Sequence, residues 1–109
     1  MAIAPHATYE GRTATWAETF YVLGDKTRLS IVVNLIRGEQ CVTDLAEGLK
    51  RKATKISTHL TRLKYCGLVV STRRGRRIVY RINPKLAKKT DKGFVLAVDG
   101  CVFTFPKRG

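Results

Sequence analysis

Between Lys50 and Lys92 every charged residue except Asp91 is basic, whereas Glu10, Glu18, Asp25, Glu39, Asp44 and Glu47 all precede that stretch. Two arrays within it have the residue types and spacing to act on a polyanion. The first is Thr54, Lys55, Ser57, Thr58, His59, Thr61 and Arg62. Its small hydroxyls allow close approach and bond to phosphates or base edges, its threonine methyls can meet thymine methyls, and its cations can reach phosphates or guanine. The second is Arg73-Arg74-Gly75-Arg76-Arg77, four guanidinium groups around a turn residue. Such a tip suits a phosphate backbone or the negative potential of a minor groove.

Composition narrows the partner. A formal charge of +13 on 109 residues exceeds what solubility requires, so nucleic acid is the first inference. No apolar run approaches the roughly 20 residues of a spanning helix, and Met1 to Glu10 lacks the basic end and apolar stretch of a signal peptide. The expected compartment is the cytoplasm, with no membrane partner. Cys41, Cys66 and Cys101 are odd in number and far apart, without the paired spacings of zinc knuckles or disulfide frameworks, so reduced thiols are expected. No nucleophile with a nearby base, paired carboxylates, glycine-rich phosphate loop or metal-ligand cluster supports catalysis. The reading is a non-enzyme with no cofactor.

The elements that position the two arrays follow from periodicity and punctuation. Residues 1–12 read as an arm. Trp16, Phe20 and Leu23 predict a first helix from Thr13 to Leu23, stopped by Gly24. Asp25 caps a second helix whose Leu29, Val32, Val33 and Ile36 form the apolar stripe, widened by Ile31 and Leu35, before Gly38. Thr43 or Asp44 starts a short third helix carrying Leu45, Ala46 and Leu49. A fourth, Ala53 to Cys66, buries Ile56, Leu60 and Leu63, shows the hydroxyl array on its other faces, and ends at Gly67.

Leu68 to Thr72 and Ile78 to Ile82 flank the arginine tip as two strands of a hairpin. Pro84 ends the second, and Lys85 to Lys92 reads as a polar connection with at most one helical turn around Leu86. Asp99-Gly100 is a favoured two-residue turn that pairs Val98 with Cys101, Leu96 with Phe103 and Phe94 with Phe105 on one face. So apolar a hairpin has to cover its own helices or meet another copy of the chain. The expected fold is mostly α with a small β component, a winged helix-turn-helix. Residues 13–83 form the nucleic-acid-binding domain, and residues 84–109 are a linker and apolar hairpin that packs on or dimerises that same domain.

Leu23-Gly-Asp-Lys-Thr-Arg-Leu29, Ile36-Arg-Gly-Glu-Gln-Cys-Val-Thr-Asp-Leu-Ala46, Ile56-Ser-Thr-His-Leu60, the Gly-Leu within Leu63 to Val69, and the Arg-Gly-Arg wing ending Val79-Tyr-Arg-Ile82 together resemble the ArsR family of bacterial transcriptional repressors. The resemblance implies a homodimer that binds double-stranded operator DNA, with Ser57, Thr58 and His59 at reading positions. Three features depart from the family pattern. Lys52 stands where a serine or threonine usually precedes the recognition helix. Thr43 replaces the second cysteine of the metal-sensing motif and leaves Cys41 alone, and the chain ends in a hairpin in place of a terminal helix. The alternatives are a non-specific architectural or RNA-binding protein, and a sensor of a metal or small ligand through Cys41 or the C-terminal aromatics. The effector, if any, is unspecified.

Overall fold

A computed structural model describes residues 16–107; the expected arm at 1–12 and the first turn of the first helix lie outside them. Residues 16–23 are helical (α1), and the backbone N–H of Gly24 donates to Phe20 O at 2.7 Å to close the last turn. In α2 (Lys26–Ile36) Asp25 is the N-cap, its carboxylate accepting the Arg28 backbone N–H at 2.9 Å. The face that α2 buries is the expected one displaced toward Ile31 and Leu35. Ile31, Val32 and Leu35 enter the core, while Leu29 and Val33 remain 38% and 39% exposed. The six apolar residues of this helix spread over more than half of its circumference, and the side that enters the core is the one on which the buried Arg28 aligns with Ile31, Val32 and Leu35.

After the two-residue strand β1 (Gln40–Cys41), α3 spans Val42–Leu49. Its start corrects the expectation of Thr43 or Asp44 as cap: the N-cap is Cys41, and Asp44, at the third helical position, reaches back to accept the Cys41 backbone N–H at 3.4 Å. α3 stops at Lys50, which takes a left-handed φ of 55°, with Arg51 N–H donating to Ala46 O at 3.0 Å. That closure satisfies orphan carbonyls and turns the chain within three residues into α4 (Ala53–Tyr65). Ile56, Leu60 and Leu63 of α4 are fully buried, and Gly67 adopts φ 80° just beyond its end.

Strands β2 (Val69–Arg74) and β3 (Arg77–Ile82) pair antiparallel across the Gly75-Arg76 turn, and β1 adds to the other side of β3. Gly75 takes φ 64° at the first turn position, where a side chain would be strained. Asn83 then ties this sheet to the end of α4, its Nδ2 donating to Gly67 O at 2.9 Å.

The lysine-rich stretch expected as a connection is in fact a strand. β4 (Ala87–Thr90) pairs with β5 (Gly93–Val98), which pairs with β6 (Cys101–Pro106) in a second three-stranded sheet. The register of β5 and β6 is the one set by Asp99-Gly100, with Val98 opposite Cys101, Leu96 opposite Phe103 and Phe94 opposite Phe105. Phe94, Leu96 and Val98 join Ile31, Leu45, Ile56, Leu60 and Leu63 in a single buried cluster, so the second sheet shares the core of the helices. The Trp16 indole N–H donates to Asp99 O at 2.8 Å and the Phe20 and Phe103 rings meet edge to face at 5.9 Å, seating α1 along the hairpin.

Gly93 has φ 145°, and a Cβ there would collide with the carbonyl oxygen of Phe105. Gly93→Ala is therefore expected to destabilise the fold by about 2–3 kcal/mol, a cost of forced overpacking that a urea unfolding curve will show as a lower midpoint with unchanged slope.

Candidate nucleic-acid interface

The α4 array is presented as a surface by the burial of the opposite side of the helix. Thr54, Lys55, Ser57, Thr58, Thr61 and Arg62 are all exposed, and no residue of α4 is acidic. Lys52 is the N-cap without a side-chain cap bond, so the backbone N–H groups of the first turn have no side chain to accept from them there. Two hydroxyls are already engaged: Thr58 Oγ1 donates to Thr54 O and Thr61 Oγ1 to Ser57 O, each at 3.0 Å. Those protons are spent on the helix itself, leaving lone pairs and methyls outward.

His59 belongs to a different arrangement from its neighbours. It is half-buried, and its Nδ1 lies 3.2 Å from Arg28 Nη1. A guanidinium only donates, so in this contact Nδ1 is the acceptor. Arg28 itself is 7% exposed; its Nε donates to Val22 O at 2.7 Å and its Nη2 to Tyr21 O at 3.3 Å. These carbonyls end α1, where the helix dipole is negative, so a buried cation meets both the hydrogen bonds and the field it needs. The Tyr21 ring adds a face 5.5 Å from the Arg28 guanidinium and 5.9 Å from that of Arg62. Arg28, in the first turn of α2, thus links the end of α1 to the middle of α4. Periodicity did not single it out; its place after the Asp25 cap was the one available signal.

A groove of about 530 Å³ opens beside this junction, lined by Glu18 and Tyr21 of α1 and by Thr58, Thr61, Arg62 and Tyr65 of α4. Cys66, at its end, faces Glu18 at 3.9 Å, and burial first, with the Glu18 charge second, pushes its thiol up from the ordinary value.

At the hairpin the four arginines separate into two kinds. Arg74 pairs with Glu39 at 3.2 Å, an exposed bridge of small energetic worth. Arg77 Nη2 donates to Cys41 Sγ at 2.7 Å and lies 3.5 Å from Asp44 Oδ2. Arg73 and Arg76 are exposed and have no side-chain partner among the described residues. Cys41, buried, also donates its thiol proton to Asp44 Oδ2 at 3.1 Å, so it joins the start of α3 to the wing. No group of three or more His, Cys, Asp or Glu able to hold a metal occurs among the described residues, and at Cys41 an arginine fills the place beside the sulfur.

Residues 25–71, from the Asp25 cap into β2, match the profile of the bacterial regulatory proteins of the arsR family. Over 95 residues the chain is 37% identical to the HTH-type transcriptional regulator CmtR of Mycobacterium tuberculosis, covering 84% of this chain and 80% of that one. The chain belongs to the ArsR family. This ArsR chain is also 40% identical over 70 residues to the arsenical resistance operon repressor of Escherichia coli, covering 63% of its own length and 60% of the repressor's. It spans about three fifths of the length of the arsenic-resistance regulators that it matches. Among solved structures, a homodimeric winged helix-turn-helix DNA-binding domain from Mycobacterium bovis superposes with a TM-score of 0.66 at 30% identity, covering 78% of each chain.

Two outcomes follow from the Arg28 junction of this ArsR chain. Arg28→Met strands the Tyr21 and Val22 carbonyls and His59 Nδ1, and urea unfolding is expected to register a loss of about 3 kcal/mol, with Arg28→Lys recovering only part. The Asp25 carboxyl is held below its ordinary 3.8, chiefly by the Arg28 backbone N–H, and Asp44 is held below it by the Cys41 thiol and backbone N–H. Depressed folded values mean stability that is present above pH 4 and lost as pH falls through them. The urea midpoint of Asp25→Asn, whose amide still caps, is therefore expected to fall less than the wild type's between pH 4 and pH 2.

Proposed function

We propose that this chain is a homodimeric, sequence-specific DNA-binding transcriptional repressor that acts in the cytoplasm. Residues 13–83 serve as its reading domain and residues 84–109 as its packing and assembly element. The observation that carries the reading is the surface formed by α4 and the β2–β3 wing. An acid-free helix face of Thr54, Lys55, Ser57, Thr58 and Thr61 stands outward, and beyond it the wing holds out Arg73 near the end of β2 and Arg76 in its two-residue turn. The helix suits a major groove, which is wide enough to admit it and displays a distinct pattern for each base pair. The wing follows the phosphate backbone.

The roles differ in kind. Ser57, with Thr54, Thr58 and Thr61 around it, meets base edges through short side chains, while Lys55 and Arg62 supply charge. His59 contributes through Arg28, setting the placement of α4, and does not itself reach a base. Arg74 and Arg77 hold the wing to the body, so Arg73 and Arg76 supply most of its phosphate contact.

Selection of duplexes from a random pool tests this directly. The expected result is a palindrome with half-sites about ten base pairs apart; enrichment of no sequence would leave only charge-driven binding. On the selected duplex, Arg73→Ala and Arg76→Ala are each expected to lower the slope of log affinity against log salt by about 1, with Arg74→Ala and Arg77→Ala changing it less. Ser57→Ala is expected to relax base preference at one position of each half-site with the salt slope unchanged, which repeating the selection will show.

A further inference from the structure

The second sheet has two edges, and they are built differently. β4 offers Ala87-Lys88-Lys89-Thr90, an edge guarded by lysines. β6 offers Cys101-Val-Phe-Thr-Phe-Pro106, without a charge, and no strand among the described residues pairs with its outer side. Natural sheets keep free edges from pairing by placing lysine on them, so an unguarded edge beside a guarded one marks a side meant to be covered. In the two-residue hairpin Val98 and Cys101 close the turn as a bonded pair, so Cys101, Phe103 and Phe105 direct their backbone groups at β5. Val102 and Thr104 therefore direct theirs outward, and Pro106, lacking an N–H, ends the edge.

Next to this edge the surface is apolar. Phe20, Leu29, Val102, Phe103 and Phe105 line an open groove of about 490 Å³ that carries no charged residue. Val102 is 66% exposed and Phe20 55%. On a chain of charge +13 a neutral face is the one where two copies meet with least repulsion. The groove also lacks the convergent polar groups that would orient a small ligand.

We propose that two copies of the chain join through the outer edge of β6. Val102 lies opposite Thr104 of the partner subunit around a two-fold axis at Phe103, and the two edges exchange four backbone hydrogen bonds. The six strands form one continuous sheet, and the apolar groove between α1, α2 and β6 is covered at the seam. A two-fold strand pairing is self-complementary, so it closes at two copies and leaves only the lysine-guarded β4 edges free. This deepens the proposed homodimer by naming the surface that makes it.

The test is sedimentation equilibrium of the full chain and of Val102→Lys, with circular dichroism and thermal unfolding of each. Val102 is already exposed, so the lysine is tolerated by the single chain. The dimer dissociation constant is expected to rise by about 30-fold or more, as for a central interface residue. Thr104→Pro removes an outward N–H without touching the bonds to β5 and is expected to act in the same direction. A dimer whose dissociation constant is unchanged by Val102→Lys overturns this interface while leaving the homodimeric DNA-binding reading intact. A wild-type chain that stays monomeric at 100 µM overturns the interface and the dimer together, and selection of an unpaired half-site would then leave DNA binding standing alone. A dimer lost on removal of residues 1–15 but indifferent to Val102→Lys places the contact on the N-terminal segment and also overturns the proposal.

Discussion

The buried guanidinium of Arg28 is the constraint from which the arrangement of the helices follows. A cation removed from water requires hydrogen bonds and an opposing field, and Arg28 finds both in the Tyr21 and Val22 carbonyls that end α1. The same side chain meets Nδ1 of His59 in the middle of α4. Three helices are therefore fixed at one point by groups that are costly to leave unpaired. No buried side-chain nitrogen or oxygen among the described residues lacks a partner. The apolar stripe of Ile56, Leu60 and Leu63 holds α4 in the core, but apolar contacts are non-directional. That burial turns the hydroxyl face of α4 outward, and the directional Arg28–His59 bond ties the helix at one point to α1 and α2.

A second junction serves the wing. Glu39 and Asp44, the acids nearest the arginine hairpin, engage Arg74 and Arg77, and the Cys41 thiol bridges Asp44 and Arg77. The start of α3 is thereby coupled to the base of the wing, and positive charge is concentrated at Arg73 and Arg76. The two arginine–carboxylate bridges are exposed and individually weak, so their effect is on geometry more than on stability. Where the family's metal-sensing members have a cysteine pair, this chain has one cysteine held by an arginine.

What was legible in the sequence was local chemistry. Asp25 as a cap, Gly67 as a helix end, and the register about Asp99-Gly100 each depend on a few adjacent residues, and each stands as expected. The buried face of α2 is displaced from the expected stripe because its six apolar residues spread over more than half of the circumference, so periodicity does not choose which of them turn inward. β4 was missed because Ala87-Lys88-Lys89-Thr90 has one apolar residue; its pairing with β5 gives it order that its composition does not. Cys41 was overlooked as an N-cap because cysteine is not a usual capping residue. The role of His59 depends on Arg28, 31 positions away, and no local pattern reports such a contact.

We propose that α4 and the wing, rather than the other basic surfaces, form the nucleic-acid interface. β4 and its flanks also carry Lys85, Lys88, Lys89 and Lys92, so charge alone does not decide between them. Titration of the isotopically labelled chain with its selected duplex, followed by amide NMR shifts, decides. The largest shifts are expected at Thr54 to Thr61 and at Arg73 to Arg77, with β4 little changed. Shifts concentrated on Lys85 to Lys92, with α4 unperturbed, would contradict it.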